Sequence, residues 1–182
     1  GALLCLDVTE RIVDEAAQKG CNLIVSHHPL IFRKLSRLTG EDYVQRCVMK
    51  ALAQGIVILS LHTNMDNAKG GVNYKIAEKM GLEDVHFMSA KQLDGVEYGS
   101  GVVGSFAEPL AADDFVIMLK RVFGVECVQT NELLRRPIRT VAICGGSGSF
   151  LLDDAVSAGI DAFVTGEMHY HEYFGREQQI QI

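Results

Sequence analysis

The stretch Asn22–Phe32, Asn-Leu-Ile-Val-Ser-His-His-Pro-Leu-Ile-Phe, joins a short apolar run to a forced turn. The run Leu23–Val25 predicts a buried strand. Neighbouring residues on a strand point to opposite faces, so the adjacent His27 and His28 can serve one site only where the chain leaves the strand. Pro29 removes a backbone donor and biases the preceding residue towards an extended or turn conformation. The stretch therefore predicts two nitrogen ligands at the carboxyl edge of a sheet, where open α/β sheets bind their ligands.

Strands and helices are predicted to alternate along the rest of the chain. The predicted strands are Ala2–Leu6, Leu23–Val25, Ile56–Leu61, Gly101–Phe106, Val125–Gln129, Thr140–Cys144 and Ala162–Thr165. Helical periodicity predicts helices at Glu10–Lys19, around Val44–Leu52, and at Val72–Met80, Ala111–Phe123 and about Phe150 to Ala158. The polar stretch Met88–Ser100 has little helical period. This alternation predicts α/β layers with a largely parallel sheet.

The two ends of the chain are similar to each other. Residues 2–28 align without gaps on residues 141–167, and each segment has the order strand, turn, helix, glycine, strand and polar cluster. Two generic strand–helix–strand units that match by chance are the alternative. The favoured interpretation is an α/β fold of two pseudo-symmetric halves, residues 1–88 and 89–182, whose strand ends face one cleft.

Composition limits the classes of function. The chain has 182 residues, 48% of them apolar, and a net charge of −6. It can bury a substantial core, its charge argues against general nucleic-acid binding, and no apolar run is long enough to span a membrane. Five scattered cysteines predict free thiols in a reducing compartment, the cytoplasm. The opening at Gly1 and the strand-like Gln178–Ile182 suggest a chain that is truncated at both ends.

Histidines cluster at predicted strand ends. The six histidines are His27, His28, His62, His86, His169 and His171, and all except His86 lie at or just past the end of a predicted strand. His62 precedes Asp66 by four residues. Imidazole with carboxylate suits zinc, iron, manganese or nickel. A ligating histidine normally donates its other nitrogen to an acceptor, for which Ser26, Thr63 and Asn64 are candidates.

Each of these residues also has a structural interpretation. A histidine at a strand end is often a hydrogen-bonded loop residue, and Asp66 could form an Asx turn with Asn67. Glu167 could be a metal ligand, a general base or a helix cap. The loop Gly145–Ser149 could hold an anion on its backbone amides or simply form a tight turn before a helix.

Four motifs occur in a fixed order and together resemble a known family. They are Ser26-His27-His28-Pro29-Leu30-Ile31-Phe32, His62-Thr63-Asn64-Met65-Asp66, Cys144-Gly145-Gly146-Ser147-Gly148 and Thr165-Gly166-Glu167-Met168-His169-Tyr170-His171. The chain resembles the Nif-three-like proteins, also called GTP cyclohydrolase 1 type 2 homologues, over nearly its whole length.

The resemblance implies a Nif-three-like fold, a dinuclear metal centre and a toroidal homohexamer. By matching motif, His27 and His28 would each bind one metal, Asp66 would be a further ligand, and His62 and Glu167 would line the site. The family's remaining ligands, a His and a Glu in a Gly-His-x-x-x-Glu type motif, are expected after Ile182.

Metal-dependent hydrolysis is the leading functional hypothesis. The resemblance implies two divalent metal ions per chain in the full-length protein and a GTP cyclohydrolase-like reaction. A nucleotide or another phosphate-bearing small molecule is the candidate substrate, and Glu167 or His62 is the candidate group that moves the proton. Two alternatives stay open: a metal chaperone or storage protein, and an oligomeric interaction protein without catalysis.

Overall fold

A computed structural model describes residues 1–182, which form two compact units, Gly1–Met65 and Asp66–Ile182. The predicted boundary between residues 88 and 89 falls within a strand, Glu83–Leu93. The division of the sequence into halves 1–88 and 89–182 stays a prediction. None of the helices combines the length and the apolar character that a bilayer crossing requires.

The first unit is a three-stranded parallel sheet with two helices. Its elements are β1 (Ala2–Cys5), α1 (Glu10–Gln18), β2 (Leu23–Ser26), α2 (Tyr43–Gln54) and β3 (Val57–Ser60), with the strand order β1-β2-β3. Cys5, Ser26 and Ser60 lie side by side at the carboxyl ends of the three strands. A one-turn helix, α3 (Thr63–Asp66), follows β3. The segments that leave the three strands therefore start from one edge of the sheet.

Both helices of the first unit contribute to one hydrophobic core. Val13 and Ala16 of α1 are buried with Cys47 and Ala51 of α2 and with Ile24 of β2. The helices have conventional caps. Thr9 accepts a hydrogen bond from the Ile12 amide, and α2 ends at Gly55 in the left-handed conformation. The apolar residues whose spacing predicts these two helices are therefore on the faces that the helices bury in the core.

Alternate residues of the edge strands in this sheet are apolar and exposed. Leu4 of β1 and Val57 and Leu59 of β3 have exposed fractions of 76%, 63% and 48%. Parallel sheets usually have both faces covered. Exposed apolar area of this kind is typical of surfaces that associate with another element or chain.

The second unit is a four-stranded mixed sheet with three helices. Its elements are α4 (Val72–Met80), β4 (Glu83–Leu93), β5 (Val96–Leu110), α5 (Ala112–Phe123), β6 (Ile138–Ser147), α6 (Leu152–Ser157) and β7 (Ala162–Glu167). The strand order is β4-β5-β6-β7, and only the last pair is parallel. Residues of α4 and α5 belong to one core cluster and residues of α6 to another. Across both sheets three of five pairings are parallel, so the predicted α/β fold with mixed, largely parallel sheets is confirmed.

The predicted repeat has the same strand register in both units. Ala2 pairs with Leu23 in β1 and β2, and Val141 pairs with Ala162 in β6 and β7. Three further pairs follow without a shift in each case. Each repeat is therefore a parallel strand–helix–strand unit with equivalent residues at equivalent positions.

One predicted strand is absent, and two other segments are described more fully by the structure. The polar stretch Met88–Ser100, for which no element is predicted, contains the turn and the adjoining strand ends of a β-hairpin between β4 and β5, which turns at Asp94 and Gly95 with φ values of 50° and 78°. Val125–Gln129 forms no strand. The helix predicted from about Phe150 to Ala158 is present as a 3-10 turn, Ser149–Leu151, that continues into α6.

Candidate metal centre

The twin-histidine turn is held to the end of β1 by backbone hydrogen bonds. The amide of His27 donates to the Cys5 carbonyl at 3.2 Å, and the amide of His28 donates to the Leu6 carbonyl at 3.0 Å. Leu30, directly after Pro29, is buried in the core of the first unit. The parallel ladder therefore extends one step past β2, and the apolar residue after the proline anchors the turn that presents the two imidazoles.

His62 joins this pair from the end of β3. The Leu61 amide donates to the Ser26 carbonyl at 2.8 Å, which fixes the start of the segment that carries His62. One ring nitrogen from each of His27, His28 and His62 lies within 4.8 Å of the other two. The ring centroids are 4.9 to 5.7 Å apart. Histidines from the segments that follow β2 and β3 thus form one cluster in the first unit.

Two of the three imidazoles are oriented by acceptors. His27 Nδ1 lies 3.0 Å from the Leu61 carbonyl oxygen, and His28 Nδ1 lies 2.8 Å from Asp7 Oδ1. Carbonyl oxygens and ionised carboxylates only accept, so each Nδ1 carries a proton, and in the neutral form of either ring the lone pair lies on Nε2. This is the arrangement that metal-ligating histidines adopt in proteins.

Sequence reasoning predicted different partners for these rings. The Ser26 hydroxyl, one of the predicted acceptors, donates to the His28 carbonyl at 2.9 Å, and Nδ1 of each ring meets a different acceptor. Asp7 was missed. Its position directly after β1, at the edge where β2 delivers the histidines, is the signal that could have identified it.

The predicted ligand Asp66 is the last residue of α3 and the first residue of the second unit. Its carbonyl accepts a hydrogen bond from the side-chain amide of buried Asn73 at 3.0 Å. Burial, with a further contribution from the Asp66 charge, raises the pKa of Cys144 to about 11. The membership of Asp66 in one site with the histidines stays a prediction.

Glu167, the other residue predicted to line the site, ends β7 in the second unit. It borders a cavity of about 760 Å³ within that unit, whose other walls are mainly apolar residues of α4, α5 and β7, among them Ile76, Leu119 and Val164. No lysine, arginine or histidine lines this cavity. Its size and lining suit a largely apolar small molecule better than a phosphate group.

The Gly145–Ser149 loop does not form an open anion cradle. The Gly145 amide donates to Asn73 Oδ1 at 2.8 Å, and the Gly148 amide donates to Thr165 Oγ1 at 3.0 Å. Two of the amides that could hold an anion are therefore used within the protein, and the turn interpretation of this loop is the better one.

His169 and His171 lie outside the three-histidine cluster. Their rings stack with centroids 6.0 Å apart, and the 3-10 turn that follows His169 is capped by Glu172, whose carboxylate accepts from the His169 amide at 2.8 Å. That hydrogen bond lowers the pKa of Glu172, and the nearby Ser149 hydroxyl and the two imidazoles act in the same direction. The local hydrogen bonds give this segment a structural role as a capped turn.

The chemistry of the three-histidine cluster fits a divalent transition metal. Neutral imidazole is a common ligand of zinc, iron, copper and nickel, and a ligating ring almost always donates its second N–H to an acceptor. His27 and His28 meet that requirement. Fold and cluster together define an α/β protein with a histidine-rich candidate metal centre next to the carboxyl edge of a parallel sheet.

Comparison with known proteins identifies the family. The family Duf34/NIF3 (NGG1p interacting factor 3) matches residues 1–182, so the chain belongs to that family. It is 34% identical over 169 residues to the GTP cyclohydrolase 1 type 2 homolog of Clostridium perfringens, covering 93% of this chain and 64% of that protein. It is 33% identical over 187 residues to NGG1-interacting factor 3 of Saccharomyces cerevisiae, covering 93% of this chain and 63% of that protein.

Solved structures share the fold. A hypothetical protein of Staphylococcus aureus matches with a TM-score of 0.88 and 28% identity over 100% of this chain and 72% of that one. A Bacillus cereus protein related to NIF3 matches with a TM-score of 0.87 over 100% of this chain and 76% of that one, and at 24% identity it supports the fold alone. The chain spans 63 to 64% of the length of the two relatives above.

Proposed function

We propose that this protein binds two divalent metal ions through His27, His28 and Asp66 and serves as a metal-dependent hydrolase. One observation carries the proposal: the Nδ1 atoms of His27 and His28 are both held by acceptors, as in metal-ligating histidines, and both rings belong to one three-histidine cluster. Zinc, iron, manganese and nickel suit an imidazole and carboxylate ligand set.

The proposed roles follow from the chemistry of each side chain. His27 and His28 would supply one nitrogen each, and Asp66 would supply the charged oxygen ligand that the family resemblance implies. When bound, such metal ions polarise a substrate oxygen and lower the pKa of a bound water. His62, whose ring nitrogen lies beside those of the pair, would accept or return a proton, and Glu167 is the second candidate for that role.

The substrate class comes from the names of relatives. Several relatives carry the name GTP cyclohydrolase 1 type 2 homolog, which supports a nucleotide or another phosphate-bearing small molecule as the first substrate to test. The chain has a net charge of −6, so electrostatic steering of an anion from solution would be weak. Recognition of phosphate would then depend on the bound metals.

Metal storage or delivery is the second candidate. The His28 side chain is 47% exposed, so a metal bound there would meet solvent and could exchange with a partner protein. Storage requires the ligands but no general base. Glu167→Gln tests this distinction: a hydrolase that uses Glu167 to move the proton would keep its metal and lose GTP ring opening, whereas a storage protein would be unaffected. Turnover that survives would show that Glu167 does not carry the proton.

Assembly and location are proposed on separate grounds. The exposed Leu4, Val57 and Leu59 on the first unit's edge strands support association into the homohexamer that the resemblance implies. Light scattering with size-exclusion chromatography tests this, and a monomer would contradict it.

All five cysteines are free thiols, which supports a reducing compartment such as the cytoplasm.

Elemental analysis of protein purified without added metal tests the central proposal. Wild-type protein is expected to carry metal, and a protein with His27→Gln and His28→Gln together is expected to carry none. His86→Gln is the matched control, because this exposed histidine hydrogen-bonds locally to the Asp84 carbonyl and belongs to the other unit. Wild-type protein that binds no zinc, iron, manganese or nickel on addition would contradict the proposal.

A further inference from the structure

The imidazole of His28 faces a carboxylate that has no place in the proposed metal chemistry. Asp7 lies two residues after the end of β1, and its Oδ1 is 2.8 Å from His28 Nδ1. The backbone of His28 is held to the same segment, because its amide donates to the carbonyl of Leu6, the neighbour of Asp7. His28 therefore makes two hydrogen bonds to the segment Leu6–Asp7, one through its side chain and one through its backbone amide.

The two adjacent imidazoles differ in the charge of their acceptor. His27 Nδ1 meets a neutral carbonyl, that of Leu61, at 3.0 Å, whereas His28 Nδ1 meets a carboxylate at 2.8 Å. Hydrogen bonds to an ionised acceptor are shorter and stronger than neutral ones. A carboxylate behind a ligating imidazole fixes its tautomer and orientation and raises its basicity as a ligand. The two rings are thus equivalent in sequence motif but inequivalent as ligands.

We propose that Asp7 is a positioning residue for His28, and that it strengthens the binding of a metal ion through His28. This inference rests on the proposed function, since it requires His28 to be a ligand. Asp7 would act on the metal held through His28 and would leave the metal held through His27 unchanged. Loss of such an acceptor typically weakens metal binding about 10- to 100-fold.

An ordinary surface ion pair is the competing explanation. The side chains of His28 and Asp7 are 47% and 62% exposed, and exposed pairs are often of little consequence. The two explanations differ in what happens when Asp7 is removed. A surface pair leaves the tautomer of His28 and the metal affinity as they were, whereas a positioning residue changes both.

The tautomer can be measured on metal-free protein by nitrogen-15 NMR of the histidine rings. Wild-type His28 is expected to carry its proton on Nδ1, and Asp7→Ala is expected to release it to a mixture that favours Nε2. Asp14→Asn is the matched control: it removes one carboxylate from α1 in the same unit, where Asp14 pairs with Lys50 at 2.7 Å. A His28 tautomer that is the same in wild-type and Asp7→Ala protein overturns the positioning role.

Zinc titration against a competing chelator then tests the effect on binding. Asp7→Ala is expected to bind zinc about 10- to 100-fold more weakly in a His27→Gln background and to have no effect in a His28→Gln background. In both backgrounds, Asp14→Asn is expected to leave the zinc affinity of the parent protein unchanged. An equal effect of Asp7→Ala in the two backgrounds, or none in either, overturns the inference. Wild-type protein that binds no zinc contradicts the proposed function instead, and the tautomer measurement alone then decides whether Asp7 positions His28.

Discussion

The hydroxyl oxygens of Ser26 and Ser60 lie 2.9 Å apart at paired positions of β2 and β3. Ser26 is 2% exposed and gives its single hydrogen to the His28 carbonyl at 2.9 Å. Ser60 must therefore donate to Ser26. One buried hydroxyl thus ties the turn that presents the twin histidines to the neighbouring strand.

Replacement of Ser26 by alanine should weaken both the fold and the candidate metal centre. The variant removes two hydrogen bonds and leaves the Ser60 hydroxyl and the His28 carbonyl without this partner. We expect the free energy of unfolding to fall by about 1 to 3 kcal/mol, as measured by urea denaturation. We also expect weaker zinc binding, because the His28 backbone loses one of its restraints.

Ser60→Ala is the control for this prediction. It removes the hydrogen bond between the strands but keeps the one from Ser26 to His28, so its zinc affinity should match that of wild-type protein. Ser26→Ala protein that binds zinc as tightly as wild-type protein would show that this hydroxyl does not hold the metal-binding turn.

Local sequence signals were sufficient for most of the fold. Helix α4 was predicted with its observed bounds, because its apolar period and the glycine after it agree with each other. The repeat between residues 2–28 and 141–167 predicted two similar strand–helix–strand units, and the structure shows the same parallel register in both. These features depend on residues close in sequence, or on a pattern that occurs twice.

The misses depend on contacts that are distant in sequence or on an overlooked turn. The hairpin of β4 and β5 was signalled by Asp94-Gly95, a pair that favours tight hairpin turns, but its strands are too exposed at that end to show an apolar pattern. Val125–Gln129 contains the β-forming residues Val125 and Val128 but joins neither sheet. Asp7 meets His28 across 21 residues, and only the register of β1 on β2 brings them together.

Cysteine reactivity should differ sharply between two positions of the second unit. Cys144 is buried, and burial together with the charge of Asp66 raises its pKa to about 11, so at about pH 8 it is almost entirely the unreactive thiol. Cys127 is exposed. We expect iodoacetamide to label Cys127 and spare Cys144 in folded protein, as read by mass spectrometry of peptides.

Two comparisons check this labelling prediction. In urea, Cys144 should react as fast as the other cysteines, because the shift in its pKa requires the fold. Cys127→Ser should remove the labelled peptide without exposing Cys144. Equal labelling of Cys127 and Cys144 in native protein would contradict the burial of Cys144.

Asp161 should stabilise the second unit in a pH-dependent way. Burial raises the pKa of this carboxyl, but donation by the Thr140 and Arg139 amides, the Arg136 guanidinium and the Thr140 hydroxyl outweighs it, so the net pKa is lowered. The Asp161 side chain is only 15% exposed and links the start of β7 to β6. We expect Asp161→Asn to lower the free energy of unfolding at neutral pH by about 2 to 3 kcal/mol.

The sign of the pH dependence follows from that lowered pKa. In the unfolded chain the carboxyl titrates near about pH 4, so above that pH both states are ionised and the full stabilisation by Asp161 is present. As the pH falls through the lower native pKa, the folded carboxylate is protonated and the difference between wild-type and Asp161→Asn protein should shrink. Asp153→Asn is the control, since Asp153 is 83% exposed in its pair with Arg176 and should matter little at any pH. A difference between wild-type and Asp161→Asn protein that grows on acidification would refute the assignment, because it would require a native pKa above that of the unfolded chain.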